Sequence, residues 1–481
     1  MKDRSSKIFG NIIPQNIINQ GINQNKKFLK KFGDDRSKEY FFKTEINETL
    51  NEFIGVENLK LSETNQIKAD KKQVIVGNIR MGYGHYRISV ALASYAKALG
   101  YTPLWLDLNS FLETTTTKII SHLNKLYSLG SRLSQKYKIF DKFYWEPLNS
   151  EGFRKLSYNS KDQKMTELMS GLHNNLPKNI PYIATHVWPA QAAVHSGFEK
   201  VVNIVPDNWP MALHLAEGSI HCTQGFSAFL GYRTLNGFDK KILNPIPKDQ
   251  IVNTGHFIDY ELTSNLEQDT QMRLKRINEG KPLRILITVG GAGAQHEFIS
   301  EIINKSLQLV DNNKIAFYIN VGDHKDFLSF LKLTVTQLDS KAKYYINNWQ
   351  ETKTFTENAI NNDIEGIHVF QNDNIFEAVY TTNLLMRSTD VMVTKPSELA
   401  FYPVPKLLIK RVGGHEAWGA IHSAELGDGT FECQTIPTAL NILNLMINQQ
   451  DILTLMNEQI LKNHKIGIYD GAKNAIEIAT K

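Results

Sequence analysis

The chain presents the same local pattern twice: a short apolar run, a turn rich in glycine, and then apolar residues at helical spacing. The first run covers residues 73–78 and the second covers residues 283–289. Apolar runs of this length that end in glycine turns are typical of buried strands. Strands that alternate with helices predict a parallel sheet with crossover connections. The pattern therefore indicates an α/β protein.

Further apolar runs follow each copy of the pattern and predict additional strands, enough for one domain in each half. They predict strands at residues 103–108, 183–185 and 201–205 in the first half, and at 315–321, 367–370, 390–394 and 406–409 in the second. Residues 111–172 read as mainly helical, and the polar residues 262–282 suit a linker. We expect two Rossmann-like, doubly wound domains that face a cleft.

The predicted domain plan has four parts. They are a polar, partly helical extension at 1–70, an N-terminal Rossmann-like domain at 71–265, a C-terminal Rossmann-like domain at 280–460, and a C-terminal helix at 461–481.

Composition excludes several classes of protein. Only Cys222 and Cys433 are present, which rules out a disulfide-framed scaffold and offers no zinc-ligand pattern. The net charge of +5, from 54 basic and 49 acidic residues, is too mild to argue for nucleic acid. No apolar run has the roughly 18 residues of a membrane span, and the N-terminus has no apolar signal core. We expect a cytoplasmic protein, with peripheral contact to a membrane as a weaker alternative.

Two segments of the first half could carry chemistry. Gly82 and Gly84 in the turn before the helix let a ligand approach the backbone, and His85 at the helix start could donate to a phosphate or a substrate hydroxyl. Asp207 and Asn208 follow a predicted strand, where open α/β sheets bind ligands. Asp207 is a candidate base or orienting group. A tight turn, a structural histidine and a turn aspartate are the competing interpretations.

The second half has a matching glycine turn. Small residues after the strand leave room for a diphosphate over the amides of a helix N-terminus. The candidate ligands in this turn are Gly290, Gly291, Gly293 and Gln295. The competing interpretation is a glycine-rich connection without a ligand.

Two later segments of the second half contain charged and polar residues that could bind a ligand. In Thr394-Lys-Pro-Ser-Glu-Leu-Ala400 we select Lys395, Ser397 and Glu398, because a lysine, a hydroxyl and the free amides of a helix start can hold phosphate oxygens. In Gly413-Gly-His-Glu416 we select Gly414, His415 and Glu416, because a carboxylate can accept both hydroxyls of a ribose. An ordinary helix cap and a solvated loop would look similar.

The order of these segments resembles that of the GT-B glycosyltransferases of family 28. That family includes the monogalactosyldiacylglycerol synthases and the N-acetylglucosaminyltransferase of the peptidoglycan lipid precursor. The resemblance covers about residues 73–460. It rests on the loop ending in Gly82-Tyr-Gly-His85, on Val205-Pro-Asp207, on Gly290-Gly-Ala-Gly293, and on the two segments at 394–400 and 413–416. Residues 1–70 and 111–172 have no counterpart in the family pattern.

The resemblance implies an inverting hexosyltransferase that needs no metal ion or other cofactor. A nucleotide sugar, usually a UDP-sugar, would bind the C-terminal domain, and a hydroxyl acceptor, often a lipid at a membrane surface, would bind the N-terminal domain. Carried over to this chain, Glu416 would bind the ribose, and Ser397 with the Gly290 loop would bind the diphosphate. Gly82, Gly84 and Asn208 would contact the acceptor, with His85 or Asp207 as base.

Two rival functions stay open. A GT-B sugar-nucleotide 2-epimerase would bind the same nucleotide but would need no acceptor surface. A scaffold that binds nucleotide sugars without turnover would share the fold. A nicotinamide dehydrogenase is disfavoured because the glycine spacing before Asp107 does not match the dinucleotide fingerprint.

Overall fold

The computed structural model describes residues 3–68, 70–290, 293 and 295–481. The strands are β1 Lys7–Ile8, β2 Asn11–Ile12, β3 Phe41–Ile46, β4 Glu57–Ser62, β5 Gln73–Asn78, β6 Thr102–Asp107, β7 Tyr182–Ala184, β8 Val201–Ile204, β9 Ile220–Thr223, β10 Ile251–Asn253, β11 Leu283–Thr288, β12 Ile315–Asn320, β13 Ala342–Ile346, β14 Ile367–Gln371, β15 Val391–Thr394 and β16 Lys406–Leu408.

The helices surround the strands on both faces of two sheets. They are α1 Gln15–Phe32, α2 Asn51–Ile54, α3 Gly84–Ala98, α4 Thr115–Lys136, α5 Lys138–Phe140, α6 Leu156–Thr166, α7 Val187–His195, α8 Phe226–Thr234, α9 Tyr260–Ser264, α10 Leu266–Asn278, α11 His296–Asp311, α12 Lys325–Thr334, α13 Leu338–Lys341, α14 Trp349–Asn361, α15 Ile375–Met386, α16 Ala417–Leu426, α17 Ile436–Asn448, α18 Asp451–Lys465 and α19 Gly471–Thr480. Two π-helical turns, Asp141–Trp145 and Leu148–Gly152, lie between α5 and α6.

The first half builds an eight-stranded sheet in the order β10-β9-β8-β7-β5-β6-β4-β3. All neighbours are parallel except the pair of β3 and β4. The chain leaves β5 for β6 on one side and returns to β7 on the other. In open α/β sheets, such a switch point opens a crevice at the carboxyl ends of the strands. The loop that follows β5 and holds His85 lies at this crevice.

The second half builds a six-stranded parallel sheet in the order β13-β14-β12-β11-β15-β16. Its switch point lies between β11 and β15, which are paired with Ile285 opposite Val391. The loops after these two strands hold Gly290 and Lys395. Both glycine turns therefore lie at the switch point of their own sheet.

The topology confirms the predicted fold class. The chain is an α/β protein with two doubly wound domains that face each other across a cleft, the arrangement called GT-B. Buried Arg87 on α3 joins the halves, because its guanidinium donates to Val379 O and Asn383 Oδ1 at 3.1 Å each. Each predicted strand overlaps an observed one.

The first 70 residues contain more regular structure than the sequence pattern indicated. Besides α1, they form β3 and β4, which extend the first sheet at its β6 edge. Helix α1 packs along α6 of the first domain. The sequence pattern did not reveal β3 and β4, because only one face of each strand needs to be apolar and the other carries polar residues.

Residues 262–282, which the sequence analysis interprets as a linker, are mostly helical in α9 and α10. The polar sequence of this stretch suggested an exposed linker, but two of its arginines are buried. Arg273 donates to Thr389 O at 2.7 Å, and Arg276 forms a buried ion pair of 2.7 Å with Asp390. Paired charges can be placed in a core where an unpaired charge could not.

The C-terminal helix α19 returns to the first domain. It packs against α3, and Ala475 and Ile476 are buried there. Among the described residues, no helix combines the length and the apolar character that crossing a bilayer requires.

Candidate active site

A cavity of about 730 Å³ lies between the two domains. On the first domain, its wall comes from the loop after β5 and from the carboxyl ends of β7 and β8. On the second domain, the wall comes from the loops after β15 and β16. A third part of the wall comes from the segment 115–152, which we call the hood. Together these three elements enclose a space large enough for a small-molecule ligand.

The hood gives the cavity an apolar side. Its α4 helix carries apolar residues at intervals of three or four, which places them on one face. The lining residues from the hood include Leu123, Leu126, Tyr127, Leu133, Phe140, Trp145 and Leu148. An apolar wall of this extent suits a hydrocarbon or aromatic group better than a sugar phosphate.

His85 lies on the wall of the first domain, in the first turn of α3. Its Nδ1 donates to Thr185 O at 2.6 Å, because a carbonyl oxygen can only accept. Nε2 is then the acceptor nitrogen of the neutral ring, and the residue lines the cavity. Burial lowers the pKa of His85 below its usual value of 6.5, although the Thr185 hydrogen bond opposes that shift. The site therefore holds a neutral imidazole with an unprotonated nitrogen.

Asp207 lies at the end of β8 and pairs with a second histidine. Its Oδ2 is 3.3 Å from His214 Nε2, and the His214 Nδ1 lies 2.7 Å from the Tyr232 hydroxyl. Burial lowers the pKa of His214 to about 4, so the ring is neutral at pH 7 and donates to Asp207 from Nε2. About a third of the Asp207 side chain is exposed. Both residues line the cavity.

Lys395 and Glu416 form an ion pair on the wall of the second domain. Burial alone would lower the pKa of Lys395, but the charges of Glu416 and Glu398 raise it above its usual value. The Lys395 charge, together with the Val412 amide, outweighs burial and keeps the pKa of Glu416 low. Glu416 Oε2 accepts from Val412 N at 2.7 Å. The pair is thus fully charged and fixes the loop after β16.

The loop after β16 also has a buried nitrogen with unused hydrogen-bonding capacity. Within the described part of the chain, His415 Nδ1 has no hydrogen-bond partner, and His415 lines the cavity. The Gly414 amide donates at 3.2 Å to Glu146 Oε2 of the hood. This ring nitrogen is therefore available to hydrogen-bond with a molecule in the cavity.

The segment after β15 differs from the prediction of a helix start. The structure has only a short 3-10 turn there, Glu398–Phe401. Ser397 and Glu398 line the cavity, and Glu398 Oε1 lies 3.7 Å from Arg87 Nε. Ser397 makes no side-chain capping bond. A four-residue turn lacks the dipole of a helix, so the lysine, rather than free amides, supplies the positive charge.

Gly290, which follows β11, lies against the side chain of Lys395. A β-carbon at Gly290 would lie 2.9 Å from Lys395 Cε, so the glycine leaves room for the lysine stem. Gly293 and Gln295 both have positive φ, 59° and 72°. Neither Gly290, Gly293 nor Gln295 lines the cavity. Gly291 lies outside the described residues.

The three residues selected for the acceptor occupy different places. Gly82 has φ of 81°, which favours glycine, and lines the cavity with Gly84. A β-carbon at Gly84 would lie 3.2 Å from Glu398 Oε2 of the second domain, so the helix start and the loop after β15 meet closely. Asn208 does not line the cavity, and its side chain packs against Gly225.

Sequence reasoning did not assign a role to the hood, although leucines at helical spacing could have indicated it. It also did not assign a role to His186, which lines the cavity with its ring 4.9 Å from that of His85. Its Nδ1 accepts from Trp188 N at 3.1 Å, and burial lowers the pKa of His186 well below its usual value. No group of three or more His, Cys, Asp or Glu side chains in the described ranges could hold a metal ion.

Comparisons with known proteins describe the two halves separately. Residues 7–234 match the family described as Domain of unknown function (DUF6937), and residues 246–480 match that described as Domain of unknown function (DUF6938). No curated protein matches the chain.

Solved structures with a similar overall arrangement include the following three. The UDP-GlcNAc 2-epimerase of Neisseria meningitidis bound to UDP-GlcNAc has a TM-score of 0.46 at 12% identity, over 84% of this chain and 98% of that one. The S. aureus MnaA–UDP complex has a TM-score of 0.45 at 10% identity, over 84% and 94%. The trehalose 6-phosphate synthase of Burkholderia multivorans has a TM-score of 0.41 at 10% identity, over 85% and 98%. At such identities these similarities assign no activity to this chain.

Proposed function

We propose that this chain is an inverting glycosyltransferase of the GT-B class, which moves a sugar from a nucleotide sugar to the hydroxyl of an acceptor with an apolar part. The observation that carries the proposal is the single cavity shared by His85 and Lys395. It places an unprotonated imidazole nitrogen on one wall and a buried cation on the other. The resemblance of the surrounding motifs to family 28 supports the same assignment.

The donor is assigned to the wall of the second domain. Lys395 would attract the diphosphate, and the Ser397 hydroxyl could donate to one of its oxygens. Glu416 accepts from Lys395 and from the Val412 amide, which leaves acceptor capacity on the carboxylate for a ribose hydroxyl. The unpaired His415 Nδ1 offers a further partner for the donor. A UDP-sugar is the donor we infer from the motifs.

The acceptor is assigned to the first domain and the hood. His85 Nε2 would take the proton of the acceptor hydroxyl while its oxygen attacks the anomeric carbon. The bond from that carbon to the diphosphate breaks, and the electron pair stays on the leaving phosphate oxygen, which Lys395 stabilises. Asp207, already hydrogen-bonded to His214, would orient the hydroxyl. No step in this scheme uses a metal ion or a cofactor.

The apolar hood distinguishes this proposal from its closest rival. An epimerase acts on the nucleotide sugar alone, so it would have no use for an apolar wall opposite the charged one. Product analysis separates the two reactions. Release of UDP with transfer or hydrolysis supports a transferase, and interconversion of the sugar supports an epimerase. Binding without either reaction indicates a scaffold.

The direct test is a thermal-shift screen of the purified protein against UDP, GDP, ADP, dTDP and several UDP-sugars, repeated with Glu416→Ala. We expect uridine nucleotides to raise the melting temperature and the variant to lose most of that rise. Folded protein that no nucleotide stabilises would contradict the proposal.

A further inference from the structure

Two histidines on the wall of the first domain present opposite hydrogen-bonding groups. His85 donates from Nδ1 to Thr185 O at 2.6 Å, which leaves its Nε2 without a proton. His186 accepts at Nδ1 from Trp188 N at 3.1 Å, which places the proton of its neutral ring on Nε2. Because a backbone carbonyl only accepts and a backbone amide only donates, both tautomers are fixed. One ring therefore offers an acceptor and the other a donor.

The two Nε2 atoms are available to a molecule in the cavity. The ring centres lie 4.9 Å apart, and both residues line the cavity. Among the described residues, neither Nε2 atom has a hydrogen-bond partner. Burial lowers the pKa of His186 well below its usual value, and a proton on His85 would lower it further. His186 therefore stays neutral, with its Nε2 proton in place, when His85 takes up a proton.

The end of β7 holds both rings in position. Thr185 and His186 are consecutive residues directly after this strand. Thr185 N donates to Gly77 O of β5 at 3.0 Å, and Thr185 Oγ1 lies 3.0 Å from Ser89 Oγ on α3. Ser89 in turn donates to His85 O at 2.7 Å. The groups that fix the two tautomers are thus anchored to the sheet and to α3.

We propose that His186 and His85 together hold the acceptor hydroxyl, whose oxygen accepts from His186 Nε2 and whose proton is donated to His85 Nε2. The inference rests on the proposed function and adds the residue that fixes the attacking oxygen. One lone pair of that oxygen accepts from His186, and the other forms the bond to the anomeric carbon. The hydroxyl proton passes to His85, and the bond to the diphosphate breaks with its electron pair. The His186 donor stabilises the negative charge that the oxygen gains as its proton leaves.

This arrangement selects a hydroxyl over an amine. A neutral amine has a single lone pair, so a hydrogen bond from His186 would occupy the electrons that the attack requires. A hydroxyl oxygen has two lone pairs and one proton, which match the donor, the anomeric carbon and the base. The acceptor class that fits the pair is therefore an alcohol or a phenol.

His186 also caps α7, because its Nδ1 accepts from the second amide of that helix. Two substitutions separate the cap from the donor. Asparagine is a good N-cap and keeps an acceptor near the position of Nδ1, but it does not reach the position of Nε2. Glutamine places an amide N–H near the position of Nε2 but loses the cap.

The test is the rate at which the full chain releases UDP from the UDP-sugar that stabilises it most, with water as the acceptor. His186→Asn should lower kcat roughly 10–100-fold, as expected for a hydrogen bond to a charged group, without changing the melting temperature or the affinity for UDP. His186→Gln should keep more of the rate, although its melting temperature should fall by roughly 2–4 °C. The control is His195→Asn, which changes a buried histidine of α7 outside the cavity wall and should leave the rate unchanged.

NMR of protein with isotope-labelled histidine nitrogens checks the tautomers in the absence of nucleotide. We expect the proton on Nε2 in His186 and on Nδ1 in His85, with each signal assigned by its loss in His186→Asn or His85→Ala. The opposite tautomer at His186 would overturn the inference. So would a wild-type rate in His186→Asn, or rates that follow the melting temperature across the variants, because only the helix cap would then matter.

The outcomes separate this inference from the proposed function. Folded protein with the expected tautomers that no nucleotide stabilises would remove the transferase. UDP release that His186→Asn leaves unchanged would keep the transferase and remove the role of His186.

Discussion

The two walls of the cavity differ in the charge of their buried ionisable side chains. On the wall of the first domain, His85, His186 and His214 are neutral because burial lowers the pKa of each ring. On the wall of the second domain, Lys395 and Glu416 are buried but charged, because each stabilises the charge of the other. The hood adds mainly apolar side chains beside the first wall.

This difference assigns a role to each wall. A neutral imidazole can accept a proton but attracts no anion, so the first wall suits the chemistry of an acceptor hydroxyl. A buried lysine favours phosphate oxygens, so the second wall suits the donor. The same fold thus appears twice in the chain, with neutral histidines at one switch point and a charged pair at the other, and function follows these side chains rather than the fold.

The largest effect should come from His85→Ala. Loss of a general base lowers kcat by about 10²–10⁴-fold. UDP affinity should stay within about twofold of the wild-type value, because the imidazole lies on the other wall. Turnover of UDP-sugar and calorimetric titration of UDP measure the two quantities. If both fall together, the separation of roles between the walls is wrong.

Lys395→Met changes the wall of the second domain and should weaken nucleotide binding. Removing a charged partner of the diphosphate weakens nucleotide binding by roughly 10–100-fold, as expected for about 1.5–3 kcal/mol. Lys305→Met is the control, since Lys305 forms an exposed pair with Glu301. The double variant Lys395→Met with Glu416→Gln checks whether an unpaired Glu416 causes the loss. Unchanged affinity in Lys395→Met would remove the donor from this wall.

Leu133→Gln tests the apolar side of the first wall. A polar amide in the hood should raise the KM for an apolar acceptor roughly tenfold. Hydrolysis of the donor in the absence of acceptor should stay the same. The control Leu333→Gln changes an exposed leucine outside the cavity. Equal KM values for wild type and Leu133→Gln would argue against an acceptor beneath the hood.

The pH dependence should be modest near neutrality. Because burial lowers the pKa of His85 below 6.5, the base is already unprotonated at pH 7. Transfer should change less than about twofold between pH 7 and 8, and should decline as the pH falls below the lowered pKa. A rate that keeps rising through pH 8 would exclude His85 as the base.

The smallest effect should come from chelation. Lys395, rather than a divalent cation, is assigned to the leaving diphosphate, so EDTA should leave turnover unchanged. A loss of turnover that Mg²⁺ or Mn²⁺ restores would show that the second wall needs a metal ion.

The sequence predicted the parts of the fold that are buried on both sides. The strands at residues 73–78 and 283–289 were evident because all of their residues except half-buried Gln73 are buried. The turns after them were marked by glycines, of which Gly82 and Gly293 have positive φ. The strands β3 and β4 at the end of the first sheet were missed because one face of each is polar. The helix α10 was missed because its buried arginines look like surface residues.

The sequence identified the individual motifs of the site but not which of them meet in space. His85, Lys395 and Glu416 were selected from local motifs, and the structure brings all three to one cavity. The hood was recognised as helical, but nothing local shows that its leucines line the same cavity as Lys395 and Glu416 of the second domain. Asn208, Gly290 and Gly293 do not line the cavity, because residues that are close in a motif need not face the same space.

The most direct test of the account is calorimetric titration of UDP into the wild-type protein, Lys395→Met and His85→Ala. We expect saturable binding to the wild type and to His85→Ala, and binding weakened roughly 10–100-fold in Lys395→Met. No binding to the folded wild type, or an equal loss in both variants, would contradict the assignment of the donor to the second wall.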